Sequence, residues 1–112
     1  MSDNNEKYYA LVGDEIVVCR DVIEWGMLFD REKRGIAFNR VGDVEISTVF
    51  LGLDHSFTGG EPVLFETMVF GGEHEGFCER YTTKEKAVEG HNRVLKTLFG
   101  RTVITEKFKE EY

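Results

Sequence analysis

The sequence predicts an α+β domain, an antiparallel sheet of about five or six strands with two helices packed on one face, in the order β-β-α-β-β-β-β-α. Three observations predict it. Short apolar segments rich in β-branched and aromatic residues are separated by Gly-Asp pairs or glycine clusters, as in "KYYALVGDEIVVC" and "IAFNRVGDVEISTVFLGL". Two other segments repeat apolar residues at helical spacing, each between a capping signal and a glycine. The length of 112 residues, 41% of them hydrophobic, suits one domain, 1–112, with a single modest core.

Residues 1–6 are polar and expected to fray. The first two strands span 7–12 and 15–19 and turn at Gly13-Asp14, residue types that tolerate a positive φ. Asp21 followed by Glu24 marks a helix start, Val22, Trp25, Leu28 and Phe29 recur at helical spacing, and Gly35 closes the segment, giving helix one over 22–33. A short strand and a long one follow, with a second Gly-Asp turn at 42–43, then a strand in "PVLFETMVF" and another in "GFCERYT". Helix two runs from a Thr82-x-x-Glu85 capping box to Gly100, with Ala87, His91, Val94, Leu95 and Leu98 on one face. The tail 101–112 reads equally as an edge strand or a frayed helix.

In the strand 63–70, Val63, Phe65, Thr67 and Val69 face one way and Leu64, Glu66, Met68 and Phe70 the other. Both rows are largely apolar, which places this strand centrally with a cover on each side. If the helices cover one face, a second subunit in a homodimer is one cover for the other.

The formal charge of -7 argues against binding nucleic-acid phosphates, which needs a basic stripe. No apolar run approaches the length needed to span a bilayer, and the opening "MSDNNEKYY" lacks a signal-peptide pattern, so a cytoplasmic location is expected. Cys19 and Cys78 then read as reduced thiols.

The candidate binding residues are Asp54, His55, Glu66, His91 and Trp25. Asp54 and His55 stand beside the loop "FTGGEP", which lacks a phosphate-loop ending and is followed by a strand, so a hairpin loop is the reading. His91 lies in the apolar stripe of helix two, and Glu66 in an apolar row of the central strand. A carboxylate so placed needs a partner, and the expected arrangement is a buried Glu66–His91 pair fixing the sheet against helix two. His55, Glu66 and His91 also supply the ligand types of a two-histidine, one-carboxylate metal centre, so a small metal-assisted hydrolase is the alternative from another class. No known metal-binding spacing is present, and neither a metal, a cofactor nor a catalytic set is expected. Trp25 and Phe29 read as core, while one of the adjacent Tyr8 and Tyr9 must face outward.

The strings "VFLGLDHSF", "PVLFETMVFGG" and "ERYTTKEKAVEGH" together resemble a family of small proteins encoded by bacteriophages and prophages. The resemblance covers residues 41–92 and, weakly, helix one. Many members have Trp where this chain has Lys84, and a double proline near Pro62. As motif positions without roles it carries over Asp54, His55, Glu66, Thr67, Gly90 and His91. His74 lies outside the shared strings. The resemblance implies a phage accessory protein, and it names no activity. The function expected is non-enzymatic binding of a host protein or signalling molecule, with counter-defence inhibition as one form of it and a virion structural or assembly component as a further alternative. Gly90, inside a helix where glycine costs about 1 kcal/mol relative to alanine, predicts a close neighbour, with helix two packing tightly on the sheet near Glu66.

Overall fold

A computed structural model describes residues 8–13, 15–29, 34–56 and 59–100. Its elements are β1 (Tyr8–Val12), β2 (Glu15–Cys19), α1 (Val22–Leu28), β3 (Gly35–Val41), β4 (Val44–Phe50), β5 (Phe65–Phe70), β6 (Cys78–Tyr81) and α2 (Lys84–Phe99), the α+β order expected. The expected fraying of 1–6, the last turn of helix one and the tail 101–112 fall outside the described residues.

The six strands divide into two antiparallel sheets, a β1-β2 hairpin and a four-stranded β3-β4-β5-β6 meander. Alternation fixes what each face of the meander carries. Ile46, Thr48 and Phe50 of β4, with Phe65, Thr67 and Val69 of β5, are buried on the face that α2 covers. From α2, Ala87, His91, Val94 and Leu95 are buried against them. Burying a side chain such as Phe50, Phe65 or Ile46 contributes roughly 1.5–3 kcal/mol each, so this interface is the main source of stability. β5 is central, as its two apolar rows predicted.

Gly90 shows the close approach expected of it, but against Tyr81 and not near Glu66, which alternation turns to the other face of the sheet. A methyl group there would collide with the Tyr81 ring, so α2 meets the sheet at β6. Thr83 caps α2, accepting from Lys86 N at 3.1 Å, and Gly100 ends it in the left-handed conformation. The cap is thus one residue later than the Thr82 box, because β6 continues to Tyr81 and the backbone of Thr83 is still extended.

The start of α1 follows the expected signal: Glu24 N donates to Asp21 Oδ1 at 2.9 Å, and Arg20 N donates to Glu24 Oε1 at 2.7 Å. The helix stops at Leu28, and Gly35 opens β3 rather than closing the helix. Phe29 is already extended, because its ring joins a column in which it stacks on Trp25 at 4.9 Å and on Phe50 at 6.2 Å. Tertiary packing overrides the local periodicity there. This column, an isolated bridge between Tyr8 and Leu53, and a bond from Tyr9 N to Gly52 O (2.8 Å) fasten α1 and the hairpin to the end of the meander.

Candidate functional site

The loop between β4 and β5 is closed by Asp54, whose Oδ1 accepts from Ser56 N at 2.8 Å and from Val63 N at 2.9 Å. Short side chains of this type mimic a turn by holding backbone donors. His55 N donates to Val63 O at 2.9 Å, and its ring Nδ1 lies 2.9 Å from Leu53 O, which makes Nδ1 the protonated nitrogen. Both residues therefore work on their own loop, holding its ends together.

His91 is fully buried between α2 and the sheet, and burial pushes its imidazole down to about 4, so it is neutral near pH 7. Its Nδ1 lies 2.7 Å from Thr48 Oγ1 and its Nε2 lies 2.8 Å from the Asn39 side-chain amide. The series continues from Thr48 to Thr67 (2.5 Å), from Thr67 to the Tyr81 hydroxyl (3.0 Å) and from Tyr81 to Glu79 (2.9 Å), which also accepts from Arg93 at 2.6 Å. One polar rung thus crosses all four strands beneath α2. A carboxylate only accepts, so the single Tyr81 hydrogen goes to Glu79, Thr67 donates to Tyr81, and Thr48 donates to Thr67. The atom facing Nε2 is Asn39 Oδ1; with His91 donating from Nδ1 to Thr48, turning that amide over to present Nδ2 gives every contact one hydrogen. Burial first, and then Glu79, pushes the Tyr81 hydroxyl up to about 12, so it keeps its proton.

The expected Glu66–His91 pair does not form. Glu66 lies in the alternate row of β5, on the sheet face away from α2 and His91. Its partners are Arg80 Nε at 3.1 Å and Cys78 Sγ at 3.2 Å, both from β6 across the register pairs Glu66↔Arg80 and Met68↔Cys78. The set His55, Glu66 and His91 is divided between a loop and two sheet faces, and no cluster of metal-ligating side chains occurs among the described residues. Cys78 donates to a carboxylate, and burial followed by Glu66 raises its thiol, so it is not an activated nucleophile.

Trp25 is partly buried, its ring 5.8 Å from Tyr8 and its indole edge against Gly52, where an added Cβ would lie 3.1 Å from Nε1. That close approach, at a φ of 82°, explains the glycine. Trp25 Nε1 has no hydrogen-bond partner, and neither has Arg34 Nε across a cleft of about 400 Å³.

What the sequence reading missed is the surface around Trp25. Ten large apolar side chains are exposed among the described residues, and seven of them, Val12, Ile16, Val18, Val22, Ile23, Met27 and Leu28, lie on the hairpin and α1. The α1 sequence VIEWGML is apolar nearly all round, yet none of its residues is buried, with Ile23 71% and Met27 80% exposed. The signal was legible in part, since Ile23 and Met27 share a face that Trp25 and Phe29 do not.

Comparison with protein-family models, with curated proteins and with solved structures finds no match for this chain.

Proposed function

We propose that the chain is a phage accessory protein that acts by binding a host protein through the end of the molecule formed by α1 and the β1-β2 hairpin. The observation that carries this reading is the exposed apolar surface of α1. A helix that is apolar on all sides is normally buried, and contiguous apolar surface that remains exposed marks an interaction site. Counter-defence is the role in a host that a compact acidic binding protein fits. The hydrolase alternative is not carried forward, because its three residues do not meet.

The test places a photo-crosslinking residue at Ile23 or Met27 and irradiates host cells producing the protein. A discrete conjugate with one host protein, formed at both positions and not from a crosslinker at Glu73 in the opposite β5–β6 turn, is the expected result. Conjugates containing only copies of this chain would replace the reading with self-assembly.

A further inference from the structure

The hairpin offers a second surface, on β2. Strands at sheet edges are ordinarily guarded against further pairing by bulges, charged residues or short length. β3 has a bulge between Gly35 and Ala37 and bears Arg40, while β6 is 4 residues long and bears Glu79 and Arg80. β2, Glu15-Ile16-Val17-Val18-Cys19, has none of these beyond one terminal carboxylate. Its partner β1 is held on the far side by Leu53 and Gly52, so among the described residues β2 is the open edge of the hairpin.

The register shows which groups that edge presents. Tyr9 directs its N–H to Gly52, away from β2, so Tyr9↔Val18 is a pair without mutual hydrogen bonds. Pairs alternate along an antiparallel ladder, so Leu11↔Ile16 is another. Ile16 and Val18 therefore turn their N–H and C=O groups outward. Beside this edge, between β2 and the first turns of α2, lies a groove of about 620 Å³. Leu11, Ile16, Phe65 and Val88 give it an apolar floor, and Glu85 and Glu89 line it on the α2 side together with the single cation Lys84. Glu85 and Glu89 are one turn apart, about 6 Å along the helix axis, which is close to the roughly 6.6 Å between alternate side chains of a strand.

We propose that β2 accepts, as an added strand, an extended segment of the partner protein in which lysine or arginine alternates with β-branched residues. The basic side chains lie on the α2 side, their stems on Ile16 and Val88 and their charged ends at Glu85 and Glu89. The edge groups of Ile16 and Val18 supply the backbone bonds. The net charge of -7 favours such a segment over a second acidic copy of this chain. The inference rests on the binding reading above and gives the partner a chemistry.

The test is the affinity of the full chain for a short blocked peptide alternating lysine with valine, measured by fluorescence anisotropy at low and high salt. Proline at an edge position whose N–H points outward breaks no ladder bond, so Val18→Pro removes the outward donor while the hairpin stays paired. Val18→Thr keeps that donor. The expected results are a loss of about tenfold or more for Val18→Pro, near wild-type affinity for Val18→Thr, and weaker, less salt-sensitive binding for Glu85→Gln with Glu89→Gln. Circular dichroism confirms that each variant is folded, and Ile16→Pro replaces Val18→Pro if that variant is not. No binding, equal binding of a glutamate–valine peptide, or binding unaffected by the proline would overturn the proposal. A dimer of the chain alone that the proline dissociates would also overturn it, assigning the edge to a second copy. A host conjugate through α1 with no peptide binding removes strand addition and leaves the binding reading standing.

Discussion

Acidifying the protein should unfold it through His91, by an amount that follows from the imidazole's surroundings. Burial holds the folded-state value at about 4, against 6.5 for the unperturbed group. Because the folded value is the lower one, the stabilisation is present above the unfolded value and is lost as pH falls from about 6.5 towards 4. A separation of about 2.5 units at 1.36 kcal/mol per unit bounds the loss near 3 kcal/mol, of which about 2 kcal/mol is gone by pH 5. Carboxylates titrate over part of the same range, so the assay compares urea unfolding of wild type and His91→Gln at pH 7.5, 6 and 5, taken at about those values to bracket the window. The glutamine variant should be less stable at neutral pH, because Thr48 and Asn39 lose a partner of the right length. It should also lose less stability on acidification, so the two proteins converge as pH falls. Parallel lines, with the same loss in both, would show that His91 is not held neutral by a closed core and would refute the rung as described.

Gly90→Ala should destabilise the fold by about 1–3 kcal/mol through overpacking despite the roughly 1 kcal/mol that alanine gains in a helix, because the new methyl meets the Tyr81 ring; thermal unfolding measures it, and an increase in Tm would contradict the packing. Asp54→Ala removes the acceptor shared by Ser56 N and Val63 N and should cost on the order of 1.5–3 kcal/mol, the range for a bond to a charged group, seen as a lower urea midpoint at unchanged slope. Glu66→Gln should speed reaction of Cys78 with a disulfide reagent at mildly alkaline pH, since Glu66 both accepts from the thiol and raises it, while buried Cys19 stays slow; an unchanged rate would remove Glu66 as a cause.

Element order and most of the facing were legible because they depend on local chemistry: turn pairs, caps and a period of two or 3.6. The exception is Leu64, which was placed in the Glu66 row but lies before β5 begins at Phe65 and joins Phe65 in the core. The row Phe65, Thr67, Val69 turned inward as its alternation requires, and Ala87, His91, Val94 and Leu95 line α2 as their spacing requires. Partners across the sheet were not legible. His91 meets Thr48, 43 residues away, and Asn39, 52 residues away, and nothing in either threonine or asparagine marks that choice beforehand. The expectation that Glu66 would pair with His91 applied the rule that a half-buried carboxylate needs a partner, but the partner was the cross-strand neighbour Arg80 on its own face. Alternation along β5 already puts Thr67, not Glu66, towards the helix, so strand parity outranked the search for a charge partner. The division of six strands into two sheets was likewise hidden, since it depends on Tyr8 and Tyr9 meeting Leu53 and Gly52.

The two ends of the molecule are held by different physics. Under α2, a rung of hydrogen bonds from Asn39 to Arg93 accepts only one register of four strands against the helix, since a shift of one residue would turn Thr48 and Thr67 away from His91. At the other end, a two-stranded hairpin is held through Tyr9 and Leu11, which pack into the core beside Phe50 and Phe65, and a seven-residue helix with no buried residue is held by a column of rings. A hairpin of two strands is marginal alone, and a third strand is the usual remedy. The same strand would satisfy the outward groups of Ile16 and Val18 and cover the groove floor. The packing of α2 on the meander therefore fixes where Glu85 and Glu89 stand, and the hairpin supplies the edge that an incoming strand completes.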